Sequence, residues 1–98
     1  MSFVQMFQFT TSDVEGIRRV DEEWRKATEG KRTVRREVIA ADRNQPGRYF
    51  AIVFFDSYES AMANSNLPET QQLAEKLAAL SDGRATFHDV DVVEDRTV

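Results

Sequence analysis

Residues 49 to 56 read Tyr49-Phe50-Ala51-Ile52-Val53-Phe54-Phe55-Asp56. A strand with one wet face alternates apolar and polar side chains, because successive residues point to opposite faces. Here both parities are apolar. The stretch is rich in β-formers and too short for a typical helix, so it reads as a strand buried on both sides. Any fold for this chain must place it centrally in a sheet and cover it twice.

The neighbouring segments supply the rest of that sheet. Phe3, Gln5, Phe7 and Phe9 alternate with Val4, Met6 and Gln8, which predicts a first strand over residues 3 to 10. Ser12-Asp13-Val14-Glu15 fits a capping box, and Val14, Ile17, Val20, Trp24 and Ala27 form one apolar stripe. Gly30 suits a helix stop, so a helix is expected over residues 13 to 28. Residues 33 to 42 read as a second strand, with charges near its start that suit an edge. Pro46-Gly47 turns the chain back into the opening stretch. A helical segment follows from Ser57, breaks at Asn64-Ser65-Asn66, and restarts at Leu67-Pro68. There Asn66 and Glu69 suggest a cap, and Leu73, Leu77 and Leu80 a buried stripe. Residues 84 to 93 make the last strand, with Thr86, His88, Val90 and Val92 on one face. The order β-α-β-β-α-β is the split βαβ, ferredoxin-like α+β arrangement, one domain over residues 1–98, with an antiparallel four-stranded sheet and helices on one face.

Two amphipathic helices cover one side of such a sheet. Its central strands are apolar on both sides, Phe3, Phe7 and Phe9 against Val4 and Met6, and Ala51, Val53 and Phe55 against Phe50, Ile52 and Phe54, so one apolar face remains uncovered. Monomers rarely leave so large an apolar face in water. The sequence therefore predicts a homodimer formed through the sheet.

Several function classes are disfavoured. The formal charge is −4, with acids and bases interspersed, and no clustered basic face for nucleic acid or a membrane surface is visible. There is no cysteine and one histidine, a poor basis for a metal site. No apolar run approaches the ~20 residues of a membrane span, and the first residues lack secretory-signal features. A cytoplasmic protein is the expectation. Gly-rich phosphate loops, Gly-x-Ser-x-Gly and a cysteine nucleophile are all missing.

Beyond the topology, Phe55-Asp56-Ser57-Tyr58-Glu59-Ser60-Ala61-Met62-Ala63-Asn64 resembles the dimeric α/β-barrel superfamily, in its antibiotic-biosynthesis-monooxygenase form. Phe55, Ser57, Glu59, Asn64 and Leu67-Pro68 occupy the places of that family's strand-end aromatic, helix start, polar residue past the Glu, and helix break. The resemblance implies two sheets meeting in a barrel and a cavity between helices and sheet in each subunit. It also implies cofactor-independent oxygenation of aromatic or polyketide-like phenols and quinols. Haem-degrading relatives use a histidine on the second helical region, a nearby tryptophan and an asparagine on strand one. Residues 57 to 80 hold no histidine, strand one holds no asparagine, and the single tryptophan is on the first helix, so no haem cofactor is expected.

Under that resemblance Asn64 is the catalytic candidate, as donor to a phenolate, with Trp24 as an aromatic wall. Arg36, Tyr49 and Tyr58 are candidates for orienting a ligand oxygen. His88, the one side chain that titrates near neutral pH when unperturbed, is the second catalytic candidate if its face points inward. Structural readings stand beside each: core packing for Trp24, a turn or cap for Asn64, a hydrogen-bonded structural residue for His88. A non-catalytic homodimer that binds a hydrophobic ligand or a protein is the alternative function.

Overall fold

A computed structural model of the chain describes residues 2–98. Seven elements run in order: β1 (Phe3–Thr10), α1 (Val14–Ala27), β2 (Arg36–Ala41), β3 (Arg48–Phe55), α2 (Tyr58–Ser65), α3 (Pro68–Leu80) and β4 (Thr86–Asp91). The strands form one antiparallel sheet in the order β2-β3-β1-β4, so the opening stretch is central, as its composition demands.

Local chemistry sets the boundaries. Asp13, not Ser12, caps α1: its Oδ1 accepts from the Gly16 amide at 2.9 Å. A Cβ on Gly16 would lie 2.4 Å from Asp13 Oδ2, so this close cap requires glycine at that position. The expected Ser12–Glu15 box is displaced because the Asp13 amide itself donates to Thr11 Oγ1. β2 begins three residues later than expected. Thr33 Oγ1 donates to the Ser60 carbonyl at 2.6 Å, which spends the approach to β2 on α2 rather than on the ladder. Ser57 and Ser60 cap α2 reciprocally. Pro68 opens α3 with no side-chain cap, because the N-cap position falls on Leu67 and the expected cap, Asn66, instead closes α2, while Glu69 pairs with Lys31 at 2.6 Å.

The register assigns every strand residue to a face. Phe3, Gln5, Phe7 and Phe9 align with Phe55, Val53, Ala51 and Tyr49 on the side of the helices. Two buried clusters hold that side together. One contains Phe3, Phe55 and Ala61, and the other Phe9, Ile17 and Ala51. α2 sits on β1 and β3, whereas α1 and α3 pack on one another. The Leu73 and Leu77 positions of α3 are only half-buried, and α3 has no fully buried residue. Of the stripe expected to be core, Leu77 and Leu80 pack against the second cluster, while Leu73 and Leu77 also roof a cavity.

A cavity between helices and sheet

Between the two clusters lies a cavity of about 760 Å³. Its floor is the helix side of β1 and β3, and its roof comes from α1, α2 and α3. The floor has an ordered pattern. Glu37, Val53, Gln5 and Asp89 lie side by side on one rung across the four strands. The next rung is Ile39, Ala51, Phe7 and Phe87. One rung is thus largely polar and its neighbour apolar, with a small residue at Ala51 where the space is. Glu37 and Gln5 are two strand spacings apart, about 10 Å between backbones.

Asn64 is the second residue from the end of α2 and is 5 % exposed. It lines the cavity, and its Oδ1 has no hydrogen-bond partner among the described residues. A buried amide oxygen without a partner costs about 1–3 kcal/mol, so the site calls for a donor from a ligand or water. Trp24 is 6 % exposed and lines the same cavity. Its indole Nε1 donates to Thr70 Oγ1 at 3.0 Å, which pins α1 to α3 and fixes the ring plane. The Arg32 guanidinium lies 6.0 Å from the ring centroid.

The remaining sequence candidates lie apart from this pair. Tyr49 is on the helix side but stacks on Phe9, with centroids 5.7 Å apart, and does not line the cavity. Tyr58 is 52 % exposed and packs edge-on against Phe3. Arg36 is on the opposite side of the sheet, where its guanidinium covers the Phe54 ring at 5.4 Å. His88 forms part of the rim at β4, yet it aligns with Met6, so its side chain takes the outer face. The face it shares with Val90 is the one away from the helices, which removes the condition for its inward role.

Two acids that read as surface charges belong to the cavity. Asp21 of α1 and Glu37 of β2 both line it and lie within hydrogen-bonding reach of one another. Burial, then hydrogen bonding to Asp21 and the Asp21 charge, push the Glu37 carboxyl up to about 8, while Arg25 and Arg32 pull the other way. Both arginines have other partners: Arg25 Nη1 donates to Glu22 at 3.2 Å and Arg32 Nη1 to the Arg25 carbonyl at 2.6 Å. The pair was missed because Asp21 falls in the charged face of α1 and Glu37 in a charged edge strand. The parity Glu37–Ile39 was the available clue.

Among solved structures the fold has many matches. SnoaB, a cofactor-independent oxygenase from Streptomyces nogalater solved as an asparagine-to-alanine variant, superposes with a TM-score of 0.79 at 16% identity, covering 96% of this chain and 95% of that one. Proteins assigned by name to the antibiotic biosynthesis monooxygenases match from Caulobacter crescentus (TM-score 0.80, 8% identity, 95% and 91% covered) and Deinococcus radiodurans (0.76, 15%, 100% and 98%). No family model matches the sequence, and no curated protein does. The chain therefore has the antibiotic-biosynthesis-monooxygenase-like fold at identities where fold alone is shared.

Proposed function

We propose that the protein binds a planar, electron-rich aromatic molecule, such as a phenol, quinol or anthrone, and presents it to dioxygen without a cofactor. The observation that carries this reading is a largely apolar cavity of about 760 Å³ with an unpartnered, buried Asn64 amide oxygen on its wall. That volume falls within the roughly 300–1,000 Å³ of small-molecule pockets. Deprotonated anthrones are reactive enough to meet dioxygen themselves. The chain's task is then to exclude water, hold the ring plane and stabilise the oxyanion. Trp24 supplies a fixed aromatic wall. Asn64 accepts from a ligand hydroxyl or, with its amide turned over, donates to the phenolate. The oxygenase SnoaB, with its asparagine variant, supports the reading through shared fold.

The test is oxygen uptake with a panel of anthrones and naphthols, corrected for uncatalysed oxidation. Wild-type protein should accelerate uptake, and Asn64→Ala should reduce it by about 100-fold, the scale of losing one oxyanion donor. Quinone binding without oxygen uptake would favour the non-catalytic binder.

We further infer that two copies pair through the outer sheet face. Its central rung is Val38, Ile52, Met6 and His88, flanked by Phe54 with Val4 and by Phe50. No helix covers it. A stable monomer by sedimentation at micromolar concentration would rule the pairing out.

A further inference from the structure

We propose that Asp21 and Glu37 act together as the base of the cavity, taking the acidic proton of the bound aromatic. The inference rests on the oxygenase reading and adds to it the group that starts the reaction. Three observations carry it. Both carboxyls line the cavity that holds Asn64 and Trp24, one from α1 above and one from the floor rung. Asp21 lies close enough to Glu37 to favour the protonated form of the Glu37 carboxyl. Neither forms an ion pair among the described residues, although Arg25 and Arg32 are near. An acid pair alone would be only a charged corner. The independent sign of a ligand is the amide oxygen of Asn64, a residue only 5 % exposed, which sits on the same cavity wall and lacks a donor among the described residues.

The charges that face Glu37 are few. α1 contributes Asp21 and Arg25, the turn after it contributes Arg32, and on the floor rung the neighbours are Val53 and Gln5, with Asp89 three strands away. The like charge at Asp21 and burial keep the proton on the pair, and this makes the deprotonated pair a stronger base than a lone surface carboxylate.

For an anthrone the chemistry balances with dioxygen as co-reactant. One C–H bond of the ring methylene breaks, its electron pair stays on the ring as the enolate, and the proton goes to the carboxyl pair. The enolate carbon bonds to dioxygen, which is reduced to a peroxide as the ring carbon is oxidised, and the pair returns the proton to the peroxide. The pair then removes the remaining C–H proton as the O–O bond breaks. Hydroxide leaves, takes that proton and departs as water, and the ring carbon becomes the quinone carbonyl.

The experiment is steady-state oxygen uptake on 1,8-dihydroxyanthrone from pH 5 to 10, corrected for autoxidation, in wild type, Glu37→Gln and Asp21→Asn. Binding of the matching anthraquinone is followed by quenching of Trp24, the single tryptophan. The wild-type kcat should rise with pH and level off above the pair's titration. Glu37→Gln should lower kcat by about 100-fold or more and erase the rise, with quinone binding retained. Asp21→Asn should keep the rise but move it to lower pH, because the like charge is gone. A Glu37→Gln protein with wild-type rate and profile overturns the proposal, as does an unmoved midpoint in Asp21→Asn. The second variant decides the matter if Glu37→Gln does not bind quinone. Wild type that consumes no oxygen overturns the oxygenase reading itself, and the proposal with it.

Discussion

The two faces of the sheet carry similar apolar strands and do opposite things with them. On the outer face the middle rung is Val38, Ile52, Met6 and His88, an apolar seam closed only at the β4 edge by an imidazole. On the helix face the corresponding rung is Glu37, Val53, Gln5 and Asp89. Polar groups beneath helices are costly unless something satisfies them. Under the proposed function those groups face a space that a ligand fills, while the apolar middle of the outer face, bordered by Arg36, Gln8 and Thr86, is the surface proposed to meet a second copy. One strand, β3, thus lines a cavity with Ala51 and Val53 and presents Phe50, Ile52 and Phe54 on the outer face.

The strongest way to break this contrast is a charge at the centre of the seam. Ile52→Asp would place a carboxylate where two apolar faces meet in the proposed dimer, with no lysine or arginine on its rung. Dimer affinity should fall by about 100-fold or more, since an unpaired buried charge costs several kcal/mol. Quinone binding by the cavity should persist, as Ile52 points away from it. Sedimentation equilibrium with parallel Trp24 quenching checks both halves. Loss of both together would mean that the two faces are not separable.

Stability against pH sharpens the contrast from the other side. Glu37 holds its proton up to about 8 in the folded chain against 4.5 when free. Between those values the folded state binds more protons than the unfolded one, so stability present below about pH 4.5 is lost as pH rises toward 8. The loss should be about 1–3 kcal/mol, discounted from the full linkage because Glu37 is only part-buried. Glu37→Gln should flatten this window. At the acid end the signs reverse. Hydrogen bonds from the Asn44 amide and Arg48 hold Asp42 low, and Arg35 holds Asp56 low. Their contributions are present at neutral pH and fall away on acidification in both proteins. Thermal melts across pH 3 to 9 measure the two limbs.

Much of the architecture was legible because it is written in period two and in turn residues. Strands one and three declared themselves central through apolar residues at both parities, and β2 declared itself an edge through its charges. The cavity was not legible. Leu73 and Leu77 recur at core spacing whether the space beneath them is filled or empty, and sequence periodicity reports a face, not its distance from the sheet. Asn64 was reachable through the helix break and the family resemblance, and Trp24 through its stripe. Asp21 and Glu37 were barely legible, because a carboxylate facing a cavity and one facing water look alike in sequence, and only the shared parity of Glu37 with Ile39 pointed inward. His88 shows the complementary failure: its parity was read correctly, but which parity faced the helices depended on pairing with Met6.

The smallest test concerns volume on the floor of the cavity. Ala51 is 3 % exposed and touches Phe9 and Ile17, so an enlarged side chain there would ordinarily overpack the core and cost about 1–3 kcal/mol. It also lines the cavity, on the apolar rung beside Val53. In Ala51→Leu the added methylenes have space to enter, and each buried one contributes about 0.8 kcal/mol. The apo protein should therefore melt slightly higher, by about 1 kcal/mol in stability, while anthraquinone affinity falls because floor volume is lost. A destabilised variant with unchanged affinity would mean that Ala51 belongs to solid core. The contrast between a hollow face and a seam would then have to be redrawn around Val53 and Glu37 alone.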